Sequence, residues 1–219
     1  MLNVEKRYRF IYKPVVFLAC LTPAVLLTAG AFGLFGVQLG PDPVARILHS
    51  CGKTTLNLLL ITLLVTPVRQ LTGLTHLLRL RRMLGLFAFT YATLHFLVYL
   101  ILDQELNFRG VLHDIAKRPY ITIGFTALVI LIPLAVTSTN RMMRRLGRRW
   151  QKLHRLIYVA AILGVWHYYW QVKRDVREPL LYAGMLAVLL GYRLVRRWQQ
   201  RSLTSKSRVG PTLRPSESD

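Results

Sequence analysis

The stretch MLGLFAFTYATLHFLVYLIL, Met83–Leu102, decides the fold. It holds no charge and is long enough, as a helix, to cross a hydrocarbon core of about 30 Å. It also holds His95. A second run, LHRLIYVAAILGVWHYYW (Leu153–Trp170), holds His154 and His167. An imidazole in lipid needs a partner, so an intramembrane histidine points to function. Thirteen residues separate His154 from His167, about 20 Å along a helix. Thirteen also separate Arg82, at the start of the other helix, from His95. If Arg82 and His154 mark the same membrane face, His95 and His167 meet at one depth near the opposite face. Two facing imidazoles at one depth in a bundle are what a bis-histidine haem requires, imidazole being a common axial ligand of haem iron.

Working outward, composition points the same way. The 219 residues are 53% hydrophobic yet carry a net charge of +21. The apolar residues form long runs and the charges form blocks between them, the pattern of a polytopic helical membrane protein. Six spans are expected, over Pro14–Phe35, Val44–Val68, Met83–Leu102, Tyr120–Thr137, Leu153–Trp170 and Leu180–Val195. The second has a polar first half, His49–Thr55, and is expected to tilt or to begin in a polar interior of the bundle. Backbone groups in lipid must pair within their own segment, so the spans are helices. The fold class is an all-α integral membrane bundle of six transmembrane helices. Residues 1–200 form this domain. Residues 201–219, rich in Ser, Thr, Pro and Arg, are expected to be a disordered tail. No internal repeat is evident.

Orientation follows from the basic residues. The N-terminus, the second and fourth loops and the tail hold 22 of the 30 Lys and Arg, and the other side holds six of the nine acids. The positive-inside rule places both termini in the cytoplasm. The same distribution argues against nucleic acid as a partner, because the basic blocks flank spans instead of forming one docking face. The first span could be misread as a signal peptide, with Ala29-Gly-Ala31 as the small-residue site. Its removal would leave five helices and a terminus on the wrong face, so it is expected to stay.

Cys20 and Cys51 lie at different expected depths, too far apart to bridge, and neither belongs to a CxxC pattern. No GxGxxG fingerprint or Walker loop is present, so no soluble NAD(P)H or FAD domain is expected.

The histidines have plainer readings too. Around His95 stand Tyr91 and Tyr99 at i−4 and i+4, with Ala88 and Ala92 nearby. The alanines would let a flat macrocycle approach, and the tyrosines could bond its substituents. His95 could equally be hydrogen-bonded to another helix. His167 has Gly164 and Ala160 on a cleared face, and could instead be interfacial beside the anchor Trp170. His154, near the cytoplasmic border, could be solvated. On one ideal helix it would stand about 140° from His167, which fits two sites better than one. His49, His76 and His113 read as surface or interfacial residues.

Several blocks together resemble a known family: Thr66-Pro-Val-Arg69, Arg81–Leu86 leading through Tyr91 to His95, and Asp114–Gly124. Further blocks are Pro133–Ser138, Leu146–Tyr158, and His167 with Trp170 and Lys173. The chain resembles the MsrQ (YedZ) family, haem-binding membrane subunits of the bacterial periplasmic methionine sulfoxide reductase system. That family lies within the ferric reductase-like transmembrane group, which includes NADPH oxidases. The resemblance implies haem b held through iron by His95, His154 and His167, with FMN as an optional second cofactor. It also implies delivery of electrons to a periplasmic molybdopterin-containing methionine sulfoxide reductase.

One departure matters. The oxidases carry two histidines on each of two helices, whereas here Arg81 and Arg82 stand where the inner histidine of the His95 helix would be. The pair His95–His167 is complete, and His154 lacks an obvious partner. The inner site could use another ligand, hold a flavin, or be empty. The basic run Arg141–Lys152 could attract a flavin phosphate or only set topology. Electrons would come from membrane quinol or a cytosolic flavin reductase. The expected function is thus a multi-pass b-type cytochrome of the bacterial inner membrane, an electron-transfer subunit without catalytic residues of its own, supporting repair of oxidised periplasmic proteins. The rivals are a small transporter or channel with histidine proton relays, which would prefer acids near the midplane, and a structural assembly factor.

Overall fold

The computed structural model describes residues 4–172 and 175–208. Among these, every regular element is helical. Helix α1 (Val4–Arg7) runs through a π-helical turn, Tyr8–Tyr12, into α2 (Lys13–Ala31). Then come α3 (Pro43–Thr72), α4 (Leu77–Val98) with a π-helical extension Tyr99–Asp103, α5 (Phe108–Lys117) and α6 (Pro119–Val136). The chain ends with α7 (Asn140–Leu146), α8 (Arg148–Leu153), α9 (Leu156–Gln171) and α10 (Arg177–Arg208).

Five helices are long and apolar enough to cross a membrane: Tyr8–Ala31, Pro43–Thr72, Leu77–Asp103, Pro119–Val136 and Arg177–Gln200. The expected sixth, α9, has 16 residues, about 24 Å, and falls short of that length. The sequence places its start at Leu153, but Leu153 closes α8 and the chain turns at His154 and Arg155 before α9 begins. At the other end α10 continues through Arg208, beyond Arg201 where the tail was expected to start. Extending a formed helix costs far less than nucleating one, so polar residues can follow the apolar span for some turns. Residues 209–219 and Lys173 lie outside the described residues.

The helix ends have local causes. Asp42 caps α3 by accepting from the Ala45 amide at 3.0 Å, with Pro43 in the first turn. Gly73 ends it in the left-handed region at φ 73° and donates its amide to Arg69 O, a conformation that costs glycine little. Asn107 caps α5 and Thr139 caps α7 in the same way. Within the spans, threonine hydroxyls donate to the carbonyl four residues back, as Thr62 does to Leu58 O at 2.7 Å, which removes an unpaired polar group from lipid.

Helix α3 is the hub. Half of its most apolar window is buried, against 11–17% in the other four spans. The others turn apolar faces outward, with Leu18, Val25, Val129, Ile132 and Val188 exposed, as lipid-facing helices must. One core cluster joins α3 and α4 to Cys20 of α2 and to Leu131 and Leu134 of α6. A second joins Leu56, Leu60 and Leu63 of α3 to Ala161 and Val165 of α9 and to Leu186 and Leu189 of α10. The polar first half of α3 faces a cavity, which Gly52, Lys53 and Thr55 line. Both cysteines are buried free thiols.

Tyr91 corrects one expectation. Its buried hydroxyl accepts from the Ala24 amide at 3.0 Å and donates to Cys20 O at 2.7 Å. These two groups are an i, i−4 pair of α2, one residue past Pro23. The phenol therefore bridges a gap in the helix ladder next to the proline. It serves α2 and is not free to bond a macrocycle.

Candidate functional site

His95 stands near the end of α4. Its Nδ1–H donates to Leu48 O of α3 at 2.8 Å. His167 stands near the end of α9, and its Nδ1–H donates to Tyr120 O of α6 at 2.7 Å. A carbonyl only accepts, so each Nδ1 carries the proton and each Nε2 keeps its lone pair. A hydrogen bond from the far nitrogen to a carbonyl is what orients a metal-ligating histidine. The two rings lie 6.1 Å apart, centre to centre, with their planes at 80°. An imidazole nitrogen binds a first-row metal at about 2 Å and lies roughly 1 Å from its ring centre, so two axial rings sharing one iron stand about 6 Å apart. The pair fits a bis-histidine haem.

Two glycines make these hydrogen bonds possible. A Cβ on Gly52 would stand 3.2 Å from Cε1 and Nδ1 of His95. A Cβ on Gly124 would stand 2.7 Å from Nδ1 and 2.9 Å from Cε1 of His167. Each imidazole thus lies directly against the backbone of the facing helix, with no side chain between. The two arrangements match in register. The accepting carbonyl is 47 residues before its histidine in both cases, and the glycine is four residues after that carbonyl, one helical turn on.

Both histidines line a cavity of about 870 Å³, within the range of cofactor sites. Ala92, Ala160 and Gly164 line it too, as the sequence suggests for a cleared face. Gly164 also makes room for Leu56, whose Cδ2 would meet a Cβ there at 3.0 Å. The rest of its lining carries both signs of charge. Lys53 bonds Glu178 at 2.7 Å, and Tyr168 donates to the same carboxylate at 2.6 Å. Arg118 bonds Asp114 at 3.1 Å, and the Tyr99 hydroxyl donates to Asp114 at 2.9 Å. Tyr99 therefore lines the cavity as expected, but its hydroxyl is engaged.

His154 lies apart from this pair. It stands in the turn between α8 and α9, so the helical angle to His167 expected from the sequence does not apply. It lines a second cavity of about 620 Å³. Its ring stacks on Trp150 at 3.9 Å. The Thr137 hydroxyl donates to Pro133 O at 2.6 Å and so accepts from His154 Nε2 at 3.1 Å. Trp150 Nε1 donates to Thr137 O at 3.0 Å, which ties the turn to the end of α6. Among the other histidines, His76 stacks on Tyr12, His113 lies 4.0 Å from Asp114, and His49 lines the larger cavity beside Gln171.

Sequence reasoning missed the carbonyls of Leu48 and Tyr120, the glycines Gly52 and Gly124, and the Lys53–Glu178 pair. The shared spacing of carbonyl, glycine and histidine in the two halves was the available signal. It is invisible to a search for repeated residue types, because a carbonyl belongs to any residue.

Residues 51–165 match the model of the ferric reductase like transmembrane component. The chain is 53% identical over 177 residues to the "Protein-methionine-sulfoxide reductase heme-binding subunit MsrQ" of Xanthomonas campestris pv. campestris (strain 8004), covering 81% of each chain. It is 48% identical over 206 residues to the protein of the same name in Xanthomonas axonopodis pv. citri, covering 93% of this chain and 94% of that one. The counterpart in Ralstonia nicotianae is 50% identical over 188 residues, with 84% and 85% covered. Identity of this order over most of both chains leaves one conclusion: this chain belongs to the MsrQ family, within the ferric reductase-like transmembrane group.

Proposed function

We propose that the chain is the haem-binding membrane subunit of a bacterial protein-methionine-sulfoxide reductase. In this reading six helices, α9 included, cross the inner membrane with both termini in the cytoplasm. His95 and His167 would hold a haem b near the periplasmic face. The observation that carries the reading is the imidazole pair, 6.1 Å apart, each ring held through Nδ1 by a backbone carbonyl. Bound haem supplies reversible one-electron chemistry. The chain's part is to fix both rings through Leu48 O and Tyr120 O, to keep both Nε2 lone pairs available, and to exclude lipid with the α3-centred core. His154 belongs to a separate inner position. With Nε2 engaged by Thr137, its Nδ1 is the nitrogen left to serve a cofactor there. The relatives' names speak of haem alone.

Electrons enter from the cytoplasmic side or the quinone pool and leave to a periplasmic molybdopterin methionine sulfoxide reductase, which repairs oxidised periplasmic proteins. The outer loops 103–118 and 171–178 carry exposed charges of both signs, among them Glu105, Arg109, Asp175 and Arg177, which suits a transient docking surface better than steering by one sign. The test uses purified chain in vesicles with its b-type spectrum reduced chemically. Adding the reductase and a methionine sulfoxide substrate outside should reoxidise it. A colourless protein would favour a proton-relay transporter, and a coloured one that stays reduced beside active reductase would remove the assigned acceptor.

Topology is tested separately. A reporter that works only in the cytoplasm should be active when fused after Arg201 and silent when fused within 103–117. The opposite pattern overturns the orientation.

A further inference from the structure

Five arginines stand among the residues that line the second cavity. Arg79, Arg81, Arg82, Arg155 and Arg197 line it, together with Thr62, Tyr158 and His154. The chain's described ion pairs involve Asp114 and Glu178, at the end of the bundle that holds the histidine pair. Asp42, Asp103 and Asp175 line the larger cavity at that same end.

Hydrogen-bond accounting singles out one corner. Thr66 Oγ1, Arg69 Nε, Arg81 Nε and Arg193 Nε are buried and have no partner within the described chain. Arg81 lines the cavity itself, and the other three belong to α3 and α10, which contribute Thr62 and Arg197 to its lining. Thr62, Thr66 and Arg69 share one face of α3 at i, i+4 and i+7, and Thr62 lines the cavity. Arg81 of α4 lines it directly. Arg193 of α10 donates one terminal nitrogen to the hydroxyl of Tyr158, a lining residue, and the other to Leu63 O. The like charges of Arg193 and Arg69 both bear on Arg81.

Arginines that only set topology extend to the headgroups and leave their guanidinium in water. These three instead bury their Nε atoms without a hydrogen-bond partner, and the charges of Arg69 and Arg193 act on Arg81; both an unpaired donor and a like charge are costly there. A single oxyanion would answer both. It must offer several acceptor oxygens to guanidinium donors and a hydroxyl carried by three helices, which is the chemistry of a phosphate.

We propose that Thr66, Arg69, Arg81 and Arg193 form an intramembrane phosphate site, entered through the arginine-lined cavity and occupied by a phosphoester. Its source is either an anionic phospholipid headgroup or a soluble phosphate compound. The site stands on these side chains alone and does not depend on the haem reading.

The test takes the full chain, delipidated in detergent, and follows intrinsic tryptophan fluorescence and melting temperature. The probes are inorganic phosphate and dioctanoyl phosphatidylglycerol, with dioctanoylglycerol, which lacks the phosphate, as control. At least one probe should bind to saturation and raise the melting temperature, and the control should not. Arg81→Gln and Arg193→Gln should each weaken that binding about tenfold or more. Response to phosphatidylglycerol alone identifies a lipid headgroup, whereas competition by inorganic phosphate identifies a soluble phosphoester. If the glutamine variants fail to fold, Arg193→Lys, which keeps the charge but loses the fork, and Thr66→Val provide the comparison. No binding of either probe, equal binding of the control, or undiminished binding by folded variants overturns the site.

Discussion

His95→Ala and His167→Ala should each remove the same low-spin b-type haem. The two rings stand at the spacing of ligands that share one iron, so removing either leaves a position the other cannot fill. Dithionite-reduced difference spectra and pyridine haemochrome content of the purified variants measure this. His154→Ala is the control, because that residue lines the other cavity. A full spectrum in either alanine variant would show that the two histidines do not serve one haem.

Gly124→Ala is expected to do nearly as much damage without touching a ligand. On helix propensity alone, alanine should stabilise α6 by roughly 1 kcal/mol. The added Cβ, however, meets three atoms of the His167 ring at 2.7, 2.9 and 3.0 Å. The ring must turn, and the Nδ1 bond to Tyr120 O is lost with it. Overpacking of this kind costs about 1–3 kcal/mol, enough to exceed the propensity gain. The expected result is normal helicity with haem lost or its low-spin EPR signal displaced, since that signal reports the angle between the axial rings. Gly52→Ala meets His95 at 3.2 Å, a contact that a small shift relieves. It should retain haem and show only a changed midpoint potential. Wild-type spectra in Gly124→Ala would refute the cradle, and a larger effect from Gly52→Ala would reverse the order of the two halves.

The sequence by itself determined the membrane-spanning class of the chain, the gathering of basic residues at one end, and the equal depth of His95 and His167. Those are properties of segments: a window of apolar residues meets lipid whatever its neighbours are, and residues a fixed distance from a membrane face reach a fixed depth. The small residues Ala92, Ala160 and Gly164 were legible as a cleared face for the same reason, because helical spacing alone puts them beside the histidines. The tertiary structure decided what depends on how each helix is rotated about its axis and which helix it meets. Tyr91 is four residues from His95, yet it packs against α2 because the ladder beside Pro23 offers it two partners. His154 lies in the same apolar run as His167, yet the chain turns there, and Thr137 and Trp150 hold it at the other cavity. The polar start of α3 pointed to an interior helix, but only packing shows that Gly52 admits an imidazole. The short helices α5, α7 and α8, expected only as loops, follow from caps and from contacts between span ends. The unpaired nitrogens of Arg69, Arg81 and Arg193 became visible only in the fold, because three charges on three helices are ordinary flanking residues until packing buries their Nε atoms.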